Sequence, residues 1–400
     1  MQHKWTAAWV VFGMVAAAGC STQIGGVPDG GGAGGDTGDG TGGGSAGGRT
    51  GGTGGGSAGG RTGGTGGSAV GTGGRTAGTG GTAGRAGGTG GMAVGTGGRT
   101  AGVGGAAGAS TGLGGAGGGS TNGGCALFTP DDPWNADVSA KPVNTNWTTK
   151  VRALLGNVNI HPDFGSDFGI PINTVPATQA SLPITFDQFG DESDPGPYPF
   201  PPPATAIIEG GSPTNCDGDC HMIVLKLGVC QVYEGYACRY SNGWVCGNGA
   251  HWDLTRKSLG QRPDGWTSAD AAGLSIYAGL ARYAEYAAGE ITHAIRFTLP
   301  CTTNSRVSPA THTAATCNGN TNAPPMGLRM RLTAGFDISS YTPTAQAFLR
   351  AFKRYGLILA DNGGSSSTFF FQSETNPAWN DDEINDLKRV PVSAFEAVDP

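Results

Sequence analysis

A run of about 100 residues that is almost entirely glycine, threonine, alanine and serine limits where this chain can fold. It extends from Gly25 to Gly124 and contains isolated arginines. Stacked repeats would need a large apolar residue at a regular position, which the run lacks, so we expect a disordered tether rather than a solenoid. A glycine-rich coil of this length spans on the order of 55 Å. Folding is therefore confined to residues 125–400, for which we predict one domain.

The first 19 residues have the pattern of an export signal. A basic start and an apolar run, too short to span a membrane, end in Ala17-Ala18-Gly19-Cys20. Small residues directly before a cysteine resemble the lipobox of bacterial lipoproteins, which implies cleavage before Cys20 and lipidation of its thiol. The alternative is an ordinary secretory peptide that leaves Cys20 as a free thiol. If Cys20 is lipidated, residues 20–124 would tether the domain to a membrane. In lipoproteins of bacteria with two membranes, an aspartate after the cysteine favours the inner membrane. This chain has Ser21 at that position, so we expect the outer membrane if the host has two.

The charge of the domain disfavours nucleic acid as a partner. Residues 1–124 hold six basic and three acidic side chains, so with a total of −6 for the chain, residues 125–400 carry −9. Binding to phosphates needs a basic surface.

Eight cysteines in the domain indicate disulfides, because their number is even and the chain is exported. We predict that Cys301 pairs with Cys317 and Cys238 with Cys246, since each pair would close a polar loop between strand-like segments. The pairing of the other four stays open. Zinc bound near Cys220 and His221 is the alternative, but no second ligand pair accompanies them, so we predict no metal site.

Short β-type runs, such as Met222–Leu227 and Val229–Tyr236, are separated by glycine and cysteine turns. A helix is predicted from Pro343, with Thr342 as its cap and Gly356 at its end. This pattern favours a mainly β fold, an antiparallel β-sandwich of jelly-roll type with two or three short helices. An irregular α+β domain is the second choice.

Glu290–Thr298 alternates as a strand does, and we predict one there. Its apolar face would carry Ile291, His293, Ile295 and Phe297. Its other face would carry Glu290, Thr292, Ala294, Arg296 and Thr298. A second alternating run, Met326–Ile338, would place Arg329 and Arg331 on a similar face.

If these two strands are neighbours, their charged faces would form a cleft. Glu290 is then a candidate general acid or base, and Arg296, Arg329 and Arg331 could bind an acidic sugar through bidentate contacts. The alternative is a solvated face with cross-strand ion pairs. His293 would join the site if a bulge shifts the register, and is otherwise a hydrogen-bonded core residue.

A proline-stiffened loop supplies further acids, Asp191, Glu192 and Asp194. They are candidates for acid–base catalysis, and their oxygens would also suit calcium. The alternative is that they bond to the backbone of a turn. Trp266, which follows an aspartate, could stack on a sugar ring or pack in the core. Asp361-Asn362-Gly363 is most simply a turn.

Three segments resemble a family of secreted bacterial proteins, a resemblance that covers most of residues 126–400. They are Asp191–Pro199, Trp266–Leu274 and Tyr355–Gly363. The resemblance implies secretion and an intact domain, but it carries no activity and no catalytic residue.

The leading hypothesis is a surface-anchored lipoprotein whose domain cleaves or processes extracellular polysaccharide, without a cofactor. The alternatives are a non-catalytic module that binds cell-surface glycans or mediates adhesion, and a structural envelope protein. Residues 125–400 contain no Gly-x-Ser-x-Gly elbow, His-Glu-x-x-His helix, P-loop or dinucleotide fingerprint. Serine hydrolases, zincins and nucleotide-dependent enzymes are therefore disfavoured.

Overall fold

A computed structural model of the protein describes residues 124–317, 319–364 and 367–399. The predicted signal peptide, Cys20 and the tether lie outside these residues, so their predictions stay predictions. In the described part of the chain, no helix has both the length and the apolar character needed to cross a membrane.

Strands dominate the described residues, and a few short helices accompany them. The strands are β1 His161–Asp163, β2 Ile172–Val175, β3 Ile184–Phe186, β4 Gly211–Ser212, β5 Asn215–Cys216, β6 Met222–Lys226, β7 Gln231–Tyr236, β8 Arg239–Tyr240, β9 Trp244–Cys246, β10 Asn248–Asp253, β11 Ile295–Leu299, β12 Arg329–Leu332, β13 Leu357–Asn362, β14 Phe370–Gln372 and β15 Phe395–Val398. The α-helices are α1 Thr145–Leu155, α2 Ile276–Gly279, α3 Tyr283–Ala287, α4 Pro343–Arg354 and α5 Asp381–Asn385. Short 3-10 helices lie at Pro133–Asn135, Gly190–Glu192, Asp386–Arg389 and Val392–Ala394. The predicted mainly β fold with a few helices is confirmed, but the described residues form five α-helices where two or three were predicted.

The largest sheet has six strands in the order β1-β14-β11-β13-β12-β15. The prediction of an antiparallel fold is wrong for this sheet, which is mixed: β1 runs parallel to β14 and β11 parallel to β13, whereas the other pairs are antiparallel. One face is apolar, since Phe371 packs against Phe348 and Phe352 of α4. Side chains alternate along a strand, so Arg296, next to Phe297 of this face, points to the opposite side of the sheet.

A second sheet has four strands in the order β10-β7-β6-β2. Its strand β6 is buried on both sides, because Ile223 and Leu225 belong to the main hydrophobic core while Met222 and Val224 belong to a smaller one. This explains why β6 reads as a continuous apolar run instead of an alternating one. Sheets of three strands, β3-β9-β8, and of two strands, β4-β5, complete the described set.

The helix predicted from Pro343 is confirmed as α4. Thr342 precedes it in an extended conformation, and Gly356 follows its end with a φ of 71°. A Cβ at this glycine would lie 2.4 Å from the Met330 carbonyl oxygen, so the chain can turn into β13 here only with glycine.

The strand predicted over Glu290–Thr298 is wrong in its first half, because β11 begins only at Ile295. The Glu290 amide instead bonds to the Glu285 carbonyl at the end of α3, after Gly289 with a φ of 108°. Glu290 therefore shares no strand face with Arg296. In addition, β13 lies between β11 and β12, so the two strands predicted to form a cleft are not neighbours.

Four disulfides join all eight cysteines of the domain. Cys301–Cys317 and Cys238–Cys246 confirm the two predicted pairs, and Cys125–Cys230 and Cys216–Cys220 are the others. The zinc alternative at Cys220 fails, since its sulfur is bonded to Cys216. This many disulfides indicates an oxidising, extracytoplasmic location.

Candidate functional site

The polar face of the six-stranded sheet is centred on Arg296, a fully buried arginine of β11. Its Nη2 lies 3.2 Å from Oδ2 of Asp270 and 3.8 Å from Oδ2 of Asp361. Asp270 is also fully buried, whereas 24% of the Asp361 side chain is exposed. One cation therefore faces two carboxyl groups, of which only Asp361 reaches solvent.

A β-bulge gives Asp361 this position. Phe297 pairs with Leu359, but the next residue, Thr298, pairs with Asp361, so that Ala360 is skipped. Without the bulge, strict alternation from Leu359 would turn Asp361 towards the apolar face; with it, Asp361 shares a face with Thr298 and Arg296. The Ala360 carbonyl accepts a hydrogen bond of 2.9 Å from the Ala272 amide, which ties the bulge to the loop that carries Asp270.

Strand β1 contributes a third carboxyl group to the same face. Asp163 pairs in register with Gln372 of β14, and its Oδ2 lies 3.4 Å from the Gln372 amide nitrogen. Because Phe371 pairs with Phe297, Gln372 stands opposite Arg296. Asp163, Gln372 and Arg296 thus form one row across three strands.

An ion pair from outside the sheet borders this row. His221 Nδ1 lies 2.5 Å from Oε2 of Glu209, and its Nε2 lies 3.1 Å from the Ala269 carbonyl oxygen. Both partners are acceptors, so both ring nitrogens donate and the imidazole is cationic. Since Ala269 precedes Asp270, this histidine connects Glu209 to the buried aspartate.

Several buried polar atoms of this face have no hydrogen-bond partner among the described residues. They are Oδ1 of Asp270, Nη2 of Arg296 and Oε1 of Gln372. The Nη2 atom lies within ion-pair distance of its carboxylates but is not aligned for a hydrogen bond. Buried polar atoms normally find partners, so a concentration of unmatched ones is a property of sites that bind water or ligands.

The acids of the site have pKa values shifted in opposite directions. Burial, reinforced by the charge of Asp270, raises the pKa of Asp361 to about 7 in spite of Arg296. Burial and the charge of Glu209 likewise raise the pKa of Asp163 to about 6. Burial would also raise the pKa of Glu209, but the charges of His221 and Arg296 outweigh the effect of burial, so the pKa of Glu209 is lowered.

The cation beside Glu209 shows the matching effect. Burial alone would lower the pKa of His221, but the Glu209 carboxylate outweighs it and raises the pKa to about 9. At neutral pH the site thus holds an ionised carboxylate at Glu209 and a carboxyl at Asp361 that can both give and take a proton. Groups with such separated pKa values are suited to acid–base catalysis.

The predicted acids outside this cluster have other partners. Glu290 is exposed and pairs with Arg354 at 3.3 Å. Glu192 accepts a 2.7 Å bond from the Thr267 amide, and Asp194 pairs with Arg262 at 2.5 Å. Asp191 is exposed in the first turn of a 3-10 helix. The bond of Glu192 to a backbone amide matches the alternative given for the loop acids; a catalytic role for these four acids stays a prediction.

Among the predicted binding residues, only Arg296 lies in the cluster. Arg329 donates to the Tyr355 and Pro133 carbonyls, and Arg331 donates to backbone carbonyls and pairs with Glu396. These bonds join segments of the chain, and of the side-chain nitrogens of these two arginines only Nη2 of Arg329 has no hydrogen-bond partner among the described residues.

The two remaining predicted binding residues also pack within the fold. His293 is buried, with Nε2 3.1 Å from Glu285 and Nδ1 2.7 Å from the Ala294 carbonyl. The ring of Trp266 lies 5.4 Å from the guanidinium carbon of Arg262. His293 thus matches the core alternative, and a sugar-binding role for Trp266 remains a prediction.

The sequence interpretation missed most of the cluster. The pattern Asp361-Asn362-Gly363 predicts a turn, and Asp163 follows a proline in a segment without a strand pattern. One signal was present for Asp361, which directly follows the wholly apolar run Leu357–Ala360. A charge at the end of a fully buried strand marks a place where the chain brings an ionisable group to the rim of the core.

Comparisons of the chain with protein-family models, with curated proteins and with solved structures find no match. Within residues 124–317, 319–364 and 367–399, no three His, Cys, Asp or Glu side chains are grouped so as to hold a metal ion.

Proposed function

We propose that the domain hydrolyses glycosidic bonds in extracellular polysaccharide, with Asp361 as the general acid and Glu209 as the ionised carboxylate. One observation carries the proposal: both carboxyls are partly exposed, both interact with buried Arg296, and their pKa values are shifted apart. Most glycosidases use one protonated and one ionised carboxyl group.

Three buried side chains would position the carboxyl groups of Asp361 and Glu209. Arg296 faces Asp361 and limits the rise of its pKa, while the charge of Asp270 favours the protonated form of Asp361. His221 holds Glu209 ionised through their ion pair. Because these residues are shielded from solvent, we assign them positioning roles.

The proposed setting is a lipid-anchored protein that stands away from the membrane on its tether. Four disulfides support an oxidising compartment, and the lipobox-like sequence before Cys20 supports the anchor. A polysaccharide outside the cell would be within reach of such a domain.

The test is the release of reducing ends and of new oligosaccharides from a panel of neutral and acidic polysaccharides incubated with the oxidised protein. We expect product formation to fall by about 100-fold or more in Asp361→Asn and in Glu209→Gln. Asp264→Asn is the matched control, since this aspartate is exposed and paired only with Arg306 in the described contacts. Glu290→Gln is included as well, and its activity should stay close to that of the wild type.

Three results would contradict the proposal. Activity that survives Asp361→Asn would exclude Asp361 as the acid, and loss of activity in Glu290→Gln alone would return the role to Glu290. Absence of products, together with retarded migration in a gel that contains polysaccharide, would identify a binding module. Near-ultraviolet circular dichroism of each variant shows whether it retains the native fold.

We also propose that the six- and four-stranded sheets form a β-sandwich, the finer part of the predicted fold. Ile223 and Leu225 of β6 and Ile295 and Phe297 of β11 belong to one continuous hydrophobic core, which supports this arrangement.

A further inference from the structure

A separate cleft of about 320 Å³ opens beside α3 and the segment that follows β14. Its walls come from Ile172 and Thr174 of β2, from Arg282 and Tyr283, and from Glu374 and the two residues that follow it. Small-molecule sites typically have volumes of about 300–1,000 Å³, so the cleft can hold one ring-sized ligand. We propose that it binds a neutral sugar residue.

One wall of the cleft presents an aromatic ring in a fixed orientation. The Tyr283 ring makes an edge contact with Trp379 at 5.1 Å between centroids and a second contact with Tyr286 at 5.7 Å. Trp379 is itself buried and donates to the Glu374 carbonyl at 3.1 Å. A ring held in this way offers a flat apolar surface with little further loss of side-chain entropy, and the C–H face of a pyranose stacks on such a surface.

Polar groups also line the cleft, and Glu374 among them is pre-organised. Oε1 of Glu374 accepts bonds from the Tyr283 amide at 2.7 Å and from the Asn376 side chain at 3.0 Å. Within the described contacts, Oε2 of Glu374 and the hydroxyls of Thr174 and Thr375 accept and donate no hydrogen bond. A fixed carboxylate acceptor and two threonine hydroxyls that line the same cleft suit the hydroxyl groups of a sugar, each of which both donates and accepts.

The charges in the cleft favour a neutral sugar over an acidic one. The terminal nitrogens of Arg282 are occupied by Glu285, His293 and the carbonyls of Tyr277 and Leu280. No guanidinium fork is therefore left for a uronate carboxylate. Glu374, which is nine-tenths buried, would repel such a carboxylate further.

The cleft borders the Arg296 cluster but does not depend on it. Glu374 follows Gln372 by two residues of extended chain, a distance of about 7 Å. A hydrolase could use the cleft as a subsite, and a binding module could use it alone. The inference therefore stands whether or not Asp361 is catalytic.

The test is calorimetric titration of the full chain with the methyl glycosides of glucose, galactose, mannose and N-acetylglucosamine, and with methyl glucuronide as the acidic comparison. We expect saturable binding of at least one neutral glycoside, with a Kd on the order of 1 mM. Tyr283→Ala should weaken it by about tenfold or more, whereas Tyr283→Phe, which keeps the ring, should stay within about twofold. Thr174→Val, which exchanges an exposed hydroxyl for a methyl group, should weaken it by about fivefold.

Two matched controls separate this site from other effects. Asn385→Ala changes an exposed asparagine on α5 and should leave binding unchanged. Asn376→Ala should weaken binding, because the Asn376 side chain holds Glu374 in place. Asp361→Asn should also bind normally, even if it abolishes hydrolysis. The inference is overturned if none of the neutral glycosides binds saturably, if binding survives Tyr283→Ala in full, or if the glucuronide binds more tightly than every neutral glycoside.

Discussion

Nη2 of Arg296 lies 3.2 Å from Oδ2 of Asp270, and both side chains are almost completely shielded from solvent. Each charge is expensive to bury alone, so each depends on the other for compensation. The energetic role of this pair can be separated from its proposed role beside Asp361.

Replacing Arg296 by methionine should lower the free energy of unfolding by about 3–5 kcal/mol, because Asp270 would remain buried without a cation. Urea denaturation of the oxidised protein measures this loss. The double variant Arg296→Met/Asp270→Asn should be less destabilised than the single one. Arg354→Met is the control, because this arginine is half exposed beside Asp137 and Glu290. Its replacement should lower the free energy of unfolding by no more than about 1 kcal/mol. Equal losses for the two arginines would contradict the assigned energetics.

Asp361 makes the stability of the domain depend on pH. Its pKa rises from an ordinary value of 3.8 to about 7 on folding, so between these values the folded state binds more protons than the unfolded state. The contribution of this group to stability therefore falls as pH rises from about 4 to about 7. Asp361→Asn should flatten that fall, as measured by chemical denaturation at a series of pH values. Asp264→Asn should keep the wild-type slope, and an unchanged slope in Asp361→Asn would show that its pKa is not raised.

His221 should titrate near pH 9 as long as Glu209 is ionised beside it. In Glu209→Gln, burial loses its main opposing carboxylate and only the more distant charge of Asp219 still raises the pKa of His221, so we expect that pKa to fall well below about 9. Nuclear magnetic resonance of the ring proton reports this directly. The stabilisation from a raised histidine pKa is complete below pH 6.5 and disappears as pH rises through 9, so the variant should lose stability mainly on the acidic side.

Asp217→Asn is the control for this titration, since Asp217 is an exposed acid close in sequence to His221. It should leave the His221 resonance with a midpoint near that of the wild type. A His221 midpoint that does not move in Glu209→Gln would show that the ion pair does not set the pKa.

The disulfides should differ in their contribution to stability according to the loops that they close. Cys125–Cys230 joins residues separated by 105 positions, whereas Cys216–Cys220 joins residues separated by 4. In the chain-entropy model a loop of about 100 residues contributes about 4.7 kcal/mol, and a very short loop contributes less. We therefore expect the double alanine variant of the first pair to lose more unfolding free energy than that of the second. Similar losses would mean that strain or residual unfolded structure, and not loop entropy, controls the effect.

Local signals were sufficient for several elements of the fold. The cap at Thr342, the proline after it and Gly356 predicted α4, because each acts through its own backbone geometry. Cys301–Cys317 and Cys238–Cys246 were predictable for a similar reason, since short loops bring their ends together at low entropic cost. Cys125–Cys230 was not, because the residues between them fold through several strands before the two sulfurs meet.

The alternation over Glu290–Thr298 shows the limit of such signals. A period of two is compatible with a strand, but the tight turn after α3 and the hydrogen bonds of His293 delay the strand to Ile295. The predicted binding role of Arg296 stays a prediction, and Glu290, expected on the same strand face, pairs with Arg354 on the surface. The actual partners of Arg296 come from positions 26 residues before it and 65 residues after it.

By itself, the sequence determined the mainly β character of the described residues, the oxidising location and the disulfides Cys301–Cys317 and Cys238–Cys246. These follow from composition, periodicity and local chain geometry, which act over a few residues. Only the tertiary structure decided that Asp163, Asp270 and Asp361 meet around Arg296. Strand order and the bulge at Ala360 bring them together. Both result from packing among segments that are distant in the sequence, which local residue patterns do not indicate.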